Sequence, residues 1–398
     1  MFEIRGTHNT AICYASVVEY EAIEQVRRMC NYPFTDGSRI RIMPDVHAGK
    51  GCTIGTTMTI DGRVVPNIVG VDIGCGMYTV NIGRAPIDYA KVDEAAHAVP
   101  SGRDVWDEIK VPFDLTSLRC YKHLKNQDGY LGRSLGSLGS GNHFIEVDQS
   151  EDETKFLVVH SGSRNLGKQV AEYYQQVAID LHGKKRWQEE TDALIAAYKK
   201  AGRERELQTA IRELKVQQGA ERMPEDLAYL YGQSMNDYLH DVEICQKYAR
   251  LNREYMADFI IRFCGFDVTD AFHTIHNYID TNEMILRKGA IAAHQGERVL
   301  IPINMRDGSI LAIGRGNPDW NYSAPHGAGR VLSRGKAKET LSLEEFQSEM
   351  EGVYTTSVSE ATLDESPMAY KRLEDIIDVV RESVDVIEVL KPVFNFKA

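Results

Sequence analysis

The sequence of 398 residues predicts an α+β protein, a single intertwined domain over residues 1–398 with central mixed β-sheets surrounded by helices. β-prone segments occur at both ends of the chain, whereas residues from about 170 to 263 form a charged stretch with a helical pattern. Neither a low-complexity linker nor an internal repeat divides the chain. Because strands from both ends must share a sheet, we expect the charged helical stretch to be an insertion within one domain.

The first half of the chain contains one helical pattern and several strand patterns. The apolar, glycine-punctuated run at 64–80 is typical of strands that are buried on both faces. In chain order, the predicted elements are a helix at 18–30, a strand at 39–43, the strand run at 64–80, a Gly- and Ser-rich loop at 131–141, and strands at 142–147 and 156–160.

The second half is mostly helical before short strands return. The charged residues at 184–225 predict an exposed helical hairpin. The later predicted elements are a helix at 271–279, strands at 290–294 and 298–303, a helix at 370–390 and an extended piece at 392–398.

Composition narrows the class of protein. No apolar run approaches the roughly 18 residues that a membrane helix needs, and the N-terminus lacks a signal pattern, so we expect a cytoplasmic protein. The seven cysteines include no CxxC pair, which argues against a disulfide framework. A net charge of −12 weighs against nucleic-acid binding, although a local basic groove or bound metal ions can supply positive charge.

Two motifs in the first half carry residues that bind metals. In VDIGCGM, Asp72 and Cys75 are three residues apart, and the adjacent glycines let both side chains turn towards one ion. In NHFIEV, strand alternation puts His143 on the opposite face from Asn142 and Glu146, so that the histidine can be a ligand while the other two face a substrate. Each motif also fits a structural role, as a buried thiol beside a turn or as a core histidine.

Further histidines lie beside small polar residues and glycines. His160 closes an apolar strand, and His273 and His276 could share one face of a helix, where at most one need be a ligand. In SAPHGAGRVLSRGKAK, the glycine-rich loop around His326 leads directly into a basic helical stretch, where backbone N–H groups can bind phosphates and the histidine could attack a phosphoryl group. A solvated surface helix is the alternative.

Taken together, these segments resemble the RtcB family of RNA ligases over about residues 41–397. The matching stretches are MPDVHAGKG from Met43, VGVDIGCGM from Val69, GSGNHFIE from Gly139, HSGSR from His160, HN at His276, HGAGRVLSR from His326 and PMAYK from Pro367.

The resemblance implies an RtcB-type domain and a specific reaction. GTP guanylylates a histidine, GMP passes to an RNA 3′-phosphate, and an RNA 5′-hydroxyl then displaces GMP. A 2′,3′-cyclic phosphate is first opened by hydrolysis. The implied cofactors are GTP and two Mn²⁺ per subunit, although the donor types alone would suggest zinc. The implied role is tRNA splicing or RNA repair, and departures from the family pattern favour repair.

The resemblance also implies residue roles. His326 matches the histidine that carries GMP, and Asp45 matches the acidic residue that orients it. One metal would be held by Asp72, Cys75 and His143, and the other by Cys75, His160 and His276, with the thiolate shared. Asn142 would approach the triphosphate, Glu146 the guanine edge, and Tyr370 and Lys397 the base. The full set of matching nucleotide positions is Asn142, His143, Phe144, Ile145, Glu146, His276, Asn277, Pro302, Ile303, Asn304, Met305, Ser309, His326, Gly327, Ala328, Gly329, Tyr370 and Lys397.

The chain departs from the family pattern in the nucleotide loop. The usual Pro-Gly-Ser-Met is here Pro302, Ile303, Asn304 and Met305, so a β-branched residue replaces a glycine. Asn165 follows HSGSR in place of glycine, a change that Asn tolerates at positive φ. The segment before Met43 is weakly similar, and the chain ends in NFKA. Two alternatives therefore remain, a dinuclear metal phosphoesterase without ligation and a non-catalytic RNA-binding protein.

Overall fold

The computed structural model describes residues 1–49, 51–220 and 223–397, and most strands of this part belong to two large sheets. The strands are β1 (Phe2–Arg5), β2 (Thr10–Cys13), β3 (Ile40–His47), β4 (Ile54–Thr59), β5 (Arg63–Val64), β6 (Gly76–Gly83), β7 (Phe144–Gln149), β8 (Lys155–Ser161), β9 (Leu230–Tyr231), β10 (Asp270–Ile275), β11 (Asn277–Asp280), β12 (Ile285–Lys288), β13 (Ala290–Ala292), β14 (Arg298–Asn304), β15 (Gly308–Gly314), β16 (Ser323–Pro325) and β17 (Val384–Lys397). The α-helices are α1 (Tyr20–Met29), α2 (Pro66–Val69), α3 (Tyr89–Ala98), α4 (Tyr130–Arg133), α5 (Arg164–Asp180), α6 (Arg186–Lys200), α7 (Leu207–Ala220), α8 (Gly232–Cys264), α9 (Arg334–Thr340), α10 (Leu343–Glu349) and α11 (Leu373–Val380).

Both large sheets join strands from distant parts of the chain. The first has the order β1-β2-β3-β4-β12-β11, and its β2–β3 pair is parallel whereas its other pairs are antiparallel. The second has the order β10-β6-β8-β7-β17-β15-β14 and is antiparallel. The C-terminal strand β17 lies between β7 and β15 in the middle of the second sheet. The predicted α+β class is confirmed.

The predicted strand run at 64–80 is wrong in its first part. Only β5 and β6 are strands, and the short helix α2 separates them. Pro66 begins α2, where its fixed φ suits the first helical turn and its missing N–H costs nothing. Gly70 ends the helix with φ 96°, a conformation that favours glycine.

Two predicted helices also differ in the structure. Residues 271–279 form parts of β10 and β11 instead, so the shared helix face of His273 and His276 does not exist. The helix predicted at 370–390 is the shorter α11, after which the β-branched run from Val384 continues as β17. A sheet partner on each side of β17 outweighs the helical pattern of its first residues.

The helical middle of the chain is confirmed, and it begins at Arg164 rather than near residue 170. Helices α6 and α7 pack against each other as the expected charged hairpin. In the described residues, no helix is long and apolar enough to cross a membrane.

Helix α8 supports the loops that carry the predicted site. Asn252 bonds Gly136, Ser137 and Gly162, and the buried guanidinium of Arg253 donates 2.6 Å and 2.8 Å bonds to the carbonyl oxygens of Gly74 and Ser161. Two buried polar side chains on one helix therefore fix the turns beside Cys75 and His160.

Candidate active site and metal centre

A cavity of about 670 Å³ has walls from both large sheets. A volume of this size suits a nucleotide or another drug-sized ligand. Most of the residues predicted for the site line it, namely Asp72, Asn142, Phe144, Glu146, His160, His276, Asn277, Pro302, Ile303, Asn304, Met305, His326, Gly327, Ala328, Gly329, Tyr370 and Lys397.

The other predicted residues lie around the cavity at different distances. Cys75 and His143 lie next to each other at one end of the cavity, and Asp45 bonds His326. Ile145 does not join the site, because its side chain packs in the hydrophobic core on the other face of β7. Ser309 is buried in β15, paired with Pro302 and Leu390.

Five side chains from four chain segments meet at one end of the cavity. Their donor atoms form two groups that could each hold a metal ion, Asp72–Cys75–His143 and Cys75–His160–His276, which share Cys75. The Cys75 Sγ lies 3.4 Å from Nε2 of His143 and of His160, and the Nε2 atoms of His160 and His276 are 3.0 Å apart. The local backbone permits this approach, because a Cβ on Gly162 would lie 2.1 Å from Asp72 Oδ1.

The hydrogen bonds around this group leave nitrogen lone pairs directed at its centre. His143 Nδ1 bonds the carbonyl oxygen of Leu138 at 2.7 Å, and His160 Nδ1 bonds that of Asn142 at 3.0 Å. Each Nδ1 must carry the proton to make its bond, so the lone pair of each neutral ring is on Nε2; His143 Nε2 lies 3.0 Å from Asp72 Oδ2, to which the protonated form of this ring donates. Bare Nε2 atoms beside a thiol and a carboxylate suit a cation, and the Nδ1 bonds are the outer contacts that orient metal-bound histidines.

The pKa shifts agree with this interpretation. Burial lowers the pKa of His160 and of His276 well below the usual value, so both rings are neutral and can be ligands. Burial opposes ionisation of Asp72, but the His143 hydrogen bond and charge outweigh it and lower the pKa of that carboxyl. Burial, reinforced by Asp72, raises the pKa of the Cys75 thiol well above its usual value, so a thiolate here requires a cation.

His326 lies next to this group at the end of β16. Its Nδ1 is 2.7 Å from Asp45 Oδ2, which also accepts the His326 backbone N–H at 3.1 Å. The His326 and His276 ring centroids are 4.8 Å apart. Gly329, with φ 78°, lets the loop close over Asp45, because a Cβ there would lie 2.5 Å from the Asp45 carbonyl oxygen. The bond to Asp45 leaves the Nε2 lone pair of His326 available in the cavity.

The loop after His326 does not enter a helix directly, as the sequence had suggested. Helix α9 begins only at Arg334, capped by Ser333, and the residues between form a loop with bends and one isolated β-bridge, from Arg330 to Tyr370. The positive φ near HSGSR falls on Arg164, at 57°, rather than on Asn165, which is already helical.

The end of the cavity away from the metal-binding group is built on the β7–β17 strand pair. Phe144 pairs with Lys397 and Glu146 with Asn395, so alternation puts these four side chains on one face. Lys397 Nζ lies 2.9 Å from Glu365 Oε2, and the Tyr370 hydroxyl donates to the same oxygen. The Arg330 guanidinium lies 4.9 Å from the Tyr370 ring centroid and bonds its hydroxyl at 2.9 Å.

Sequence reasoning missed several residues of this cavity region, among them Asn395, Lys288 and Glu365. Asn395 follows from alternation back from Lys397, once 392–398 is treated as a strand. Lys288 lines the cavity, and its only signal was a charge at the end of an apolar strand. Glu365 is 2% exposed and bonds Lys397 and Tyr370, for which the sequence offers no signal.

The fold and the cavity define a class of protein, an α+β protein with a candidate metal-binding group beside a carboxylate-bonded histidine. A family model described as tRNA-splicing ligase RtcB matches residues 25–126 and 121–398. RNA-splicing ligase RtcB of Escherichia coli K12 is 30% identical, over 96% of this chain and 95% of that protein. tRNA-splicing ligase RtcB of Archaeoglobus fulgidus is 28% identical, over 92% and 88%. RNA-splicing ligase RtcB of Mycobacterium bovis is 27% identical, over 86% and 92%.

The chain therefore belongs to the RtcB family of RNA ligases. The predictions of this family and of an RNA ligase are confirmed, and non-catalytic RNA binding is not its function.

Proposed function

We propose that the cavity is where GTP guanylylates His326 and where an RNA 3′-phosphate is joined to an RNA 5′-hydroxyl. The observation that carries this proposal is the His326–Asp45 bond beside the two ligand groups. A histidine whose Nδ1 proton is held by a carboxylate is a competent nucleophile through Nε2.

In the first step, His326 Nε2 attacks the α-phosphorus of GTP, and the bond to the β-phosphate breaks as pyrophosphate leaves. The imidazole gains positive charge in this attack, and Asp45 stabilises it while keeping the Nδ1 proton. In the second step, an RNA 3′-phosphate oxygen attacks the same phosphorus and His326 leaves. An RNA 5′-hydroxyl then attacks the 3′-phosphate, GMP leaves, and the new phosphodiester forms. A 2′,3′-cyclic phosphate must be hydrolysed before the second step.

Residues along the cavity suit the parts of the nucleotide. Lys288, Arg330 and Arg334 line it and can neutralise phosphate charge, although the protein as a whole carries a net charge of −12. Asn142 would bind the triphosphate, and Gly327 to Gly329 would approach it through their backbone. Phe144, Glu146, Tyr370 and Lys397 would form the base site, in which an ionised Glu146 accepts from the N1 and 2-amino groups of guanine and disfavours adenine.

The ligand set fits two metal ions, which we propose to be Mn²⁺. Asp72, Cys75 and His143 would hold one, and Cys75, His160 and His276 the other. When bound, divalent cations there would stabilise negative charge that develops on the transferred phosphoryl group.

The proposal is tested with Mn²⁺ and GTP labelled at the α-phosphate. We expect an acid-labile protein adduct in the wild type and in His8→Ala, a control on an exposed histidine, but none in His326→Ala. An adduct that survives His326→Ala, or no adduct on the wild type, contradicts the proposed step.

A second measurement uses an RNA with a 3′-phosphate and another with a 5′-hydroxyl. We expect GTP-dependent joining. Loss of the 3′-phosphate without joining would instead indicate the dinuclear phosphoesterase.

A further inference from the structure

Two carboxyl groups lie buried side by side at the base end of the cavity. Glu146 and Asp148 are two residues apart on β7, so they share one face, and they are 3% and 0% exposed. Burial raises the pKa of both groups, that of Asp148 to about 7, and the neighbouring Asp148 raises that of Glu146 further. Two buried like charges cannot both be favourable, so the pair retains a proton near neutral pH.

A hydrogen bond across the strand pair favours the ionised form of Glu146. Asn395, directly opposite on β17 and 1% exposed, donates its Nδ2–H to Glu146 Oε2. A carboxylate that accepts a hydrogen bond is favoured in its ionised form, so this bond lowers the pKa of Glu146 against the effect of burial.

The other neighbours of Glu146 are also compatible with its ionised form. Lys397 is the cation that faces it from β17, and this lysine is bonded to Glu365. On β8, the residue paired with Glu146 is the uncharged Val158. The amide of Asn395 therefore supplies the hydrogen bond that, together with the Lys397 charge, opposes protonation of Glu146.

We propose that Asn395 is a positioning residue for the nucleotide base, which favours the ionised form of Glu146, holds its carboxylate in one orientation and thereby makes the cavity selective for a purine that donates from its N1 and 2-amino edge. This inference rests on the proposed function, in which Glu146 faces that edge of GTP. Without the amide donor, Glu146 binds its proton more tightly. A neutral Glu146 is a weaker acceptor and accommodates other base edges.

The test compares the wild type with Asn395→Leu, which has a similar volume and no donor, and with Asn395→Ser, which keeps a shorter donor. The dissociation constants of GTP and of ITP, which lacks the 2-amino group, are measured by calorimetry with Mn²⁺ between pH 6 and 9. A His326→Ala background makes binding independent of adduct formation. Circular dichroism checks folding, and Asn395→Ser carries the comparison if Asn395→Leu does not fold.

We expect Asn395→Leu to weaken GTP binding about tenfold or more at pH 7, the loss typical of a buried hydrogen bond to a charged group. The pH above which GTP binds tightly should rise, and the preference for GTP over ITP should fall. Asn395→Ser should recover part of both effects. In proteins that retain His326, the KM for GTP should rise while the maximal rate of adduct formation stays within about threefold, as expected for lost binding.

A Glu146→Gln background tests whether Asn395 changes the pH dependence of GTP binding through the ionisation of Glu146. With Glu146→Gln, which cannot ionise, Asn395→Leu should no longer change the pH profile. An unchanged GTP affinity in Asn395→Leu, or a pH shift that persists with Glu146→Gln, overturns the inference. The proposed function fails separately, by absence of a His326 adduct in the wild type.

Discussion

The bond between Asp45 and His326 allows a quantitative prediction. Asp45 is fully buried, and its Oδ2 accepts from both Nδ1 and the backbone N–H of His326. Asp45→Asn keeps the shape of the side chain and removes its charge. A hydrogen bond to a charged group contributes about 1.5–3 kcal/mol. At about 1.4 kcal/mol per factor of ten, its loss should slow guanylylation of His326 roughly 10- to 150-fold.

The orientation of the new amide decides whether the loss stays in that range or exceeds it. If its oxygen faces His326, the Nδ1 proton stays in place and only the charge is lost. If its NH₂ faces His326, the ring must accept through Nδ1, and Nε2 then carries the proton and cannot attack. In the serine-protease triad, the same Asp-to-Asn change imposes the wrong tautomer and costs about 10⁴-fold. The tight approach of Gly329 to the Asp45 backbone leaves little room for a compensating shift.

The assay is single-turnover adduct formation with labelled GTP, followed over a range of GTP concentrations. We expect the rate constant to fall while the GTP concentration at half-maximal rate changes less than about threefold, since Asp45 lies behind His326. Asp241→Asn is the matched control, because Asp241 is also fully buried and accepts the backbone N–H of Arg119 and Cys120. A rate within threefold of wild type in Asp45→Asn, or an equal loss per folded molecule in Asp241→Asn, would refute the reasoning.

Three further variants test other parts of the site. Cys75→Ser should lower the Mn²⁺ retained per chain after dialysis, measured by mass spectrometry, because both ligand groups lose their shared atom. Glu365→Gln should raise the KM for GTP in adduct assays by releasing Lys397. Although burial opposes ionisation of Glu365, the charges of Lys397 and Arg334 and the bonds from Tyr370 and Lys397 together outweigh it and lower the pKa to about 2. This carboxylate therefore stabilises the fold above about pH 4.5, and acid titration of the unfolding free energy should show less loss between pH 4.5 and 2 in the variant. Asp148→Asn should remove a pH dependence of the opposite sign, because the raised pKa of about 7 means that ionising Asp148 destabilises the fold as pH rises through 7. Urea unfolding at pH 6 and pH 8 should show the variant gaining on the wild type at the higher pH.

The predicted metal-binding group depended on local signals that survive folding. Glycine turns beside Asp72 and Cys75 need only a few residues to adopt their conformation, and alternation along β7 correctly separates Phe144 and Glu146 from Ile145. Turns and strand alternation depend on residues that are close together in sequence, so they can be predicted from the sequence alone.

The wrong predictions lie where a distant partner decides the structure. Residues 271–279 fit a helical pattern, but pairing of β10 with β6 and of β11 with β12 makes them strands. Residues 384–390 become a strand because β15 pairs with β17. On its other side, β17 pairs with β7, and this pairing brings Asn395 to Glu146, although the two residues are 249 positions apart in sequence. Short apolar runs do not specify such partners.

The departure from the family at Ile303 is compatible with a nucleotide site for a structural reason. A register shift between Pro302 and Asn304 turns the Ile303 side chain into the core beneath β14, where it is 3% exposed, while its backbone remains on the cavity wall. Its φ is not positive, so this position does not require glycine. The Asn304 side chain bonds Asp307 and the N–H of Arg306, which closes the β14–β15 turn instead of reaching across the cavity. Because this loop offers mainly backbone, the proposed choice of base depends on side chains elsewhere in the cavity, and the β7–β17 pair supplies Glu146, Asn395 and Lys397 to its lining.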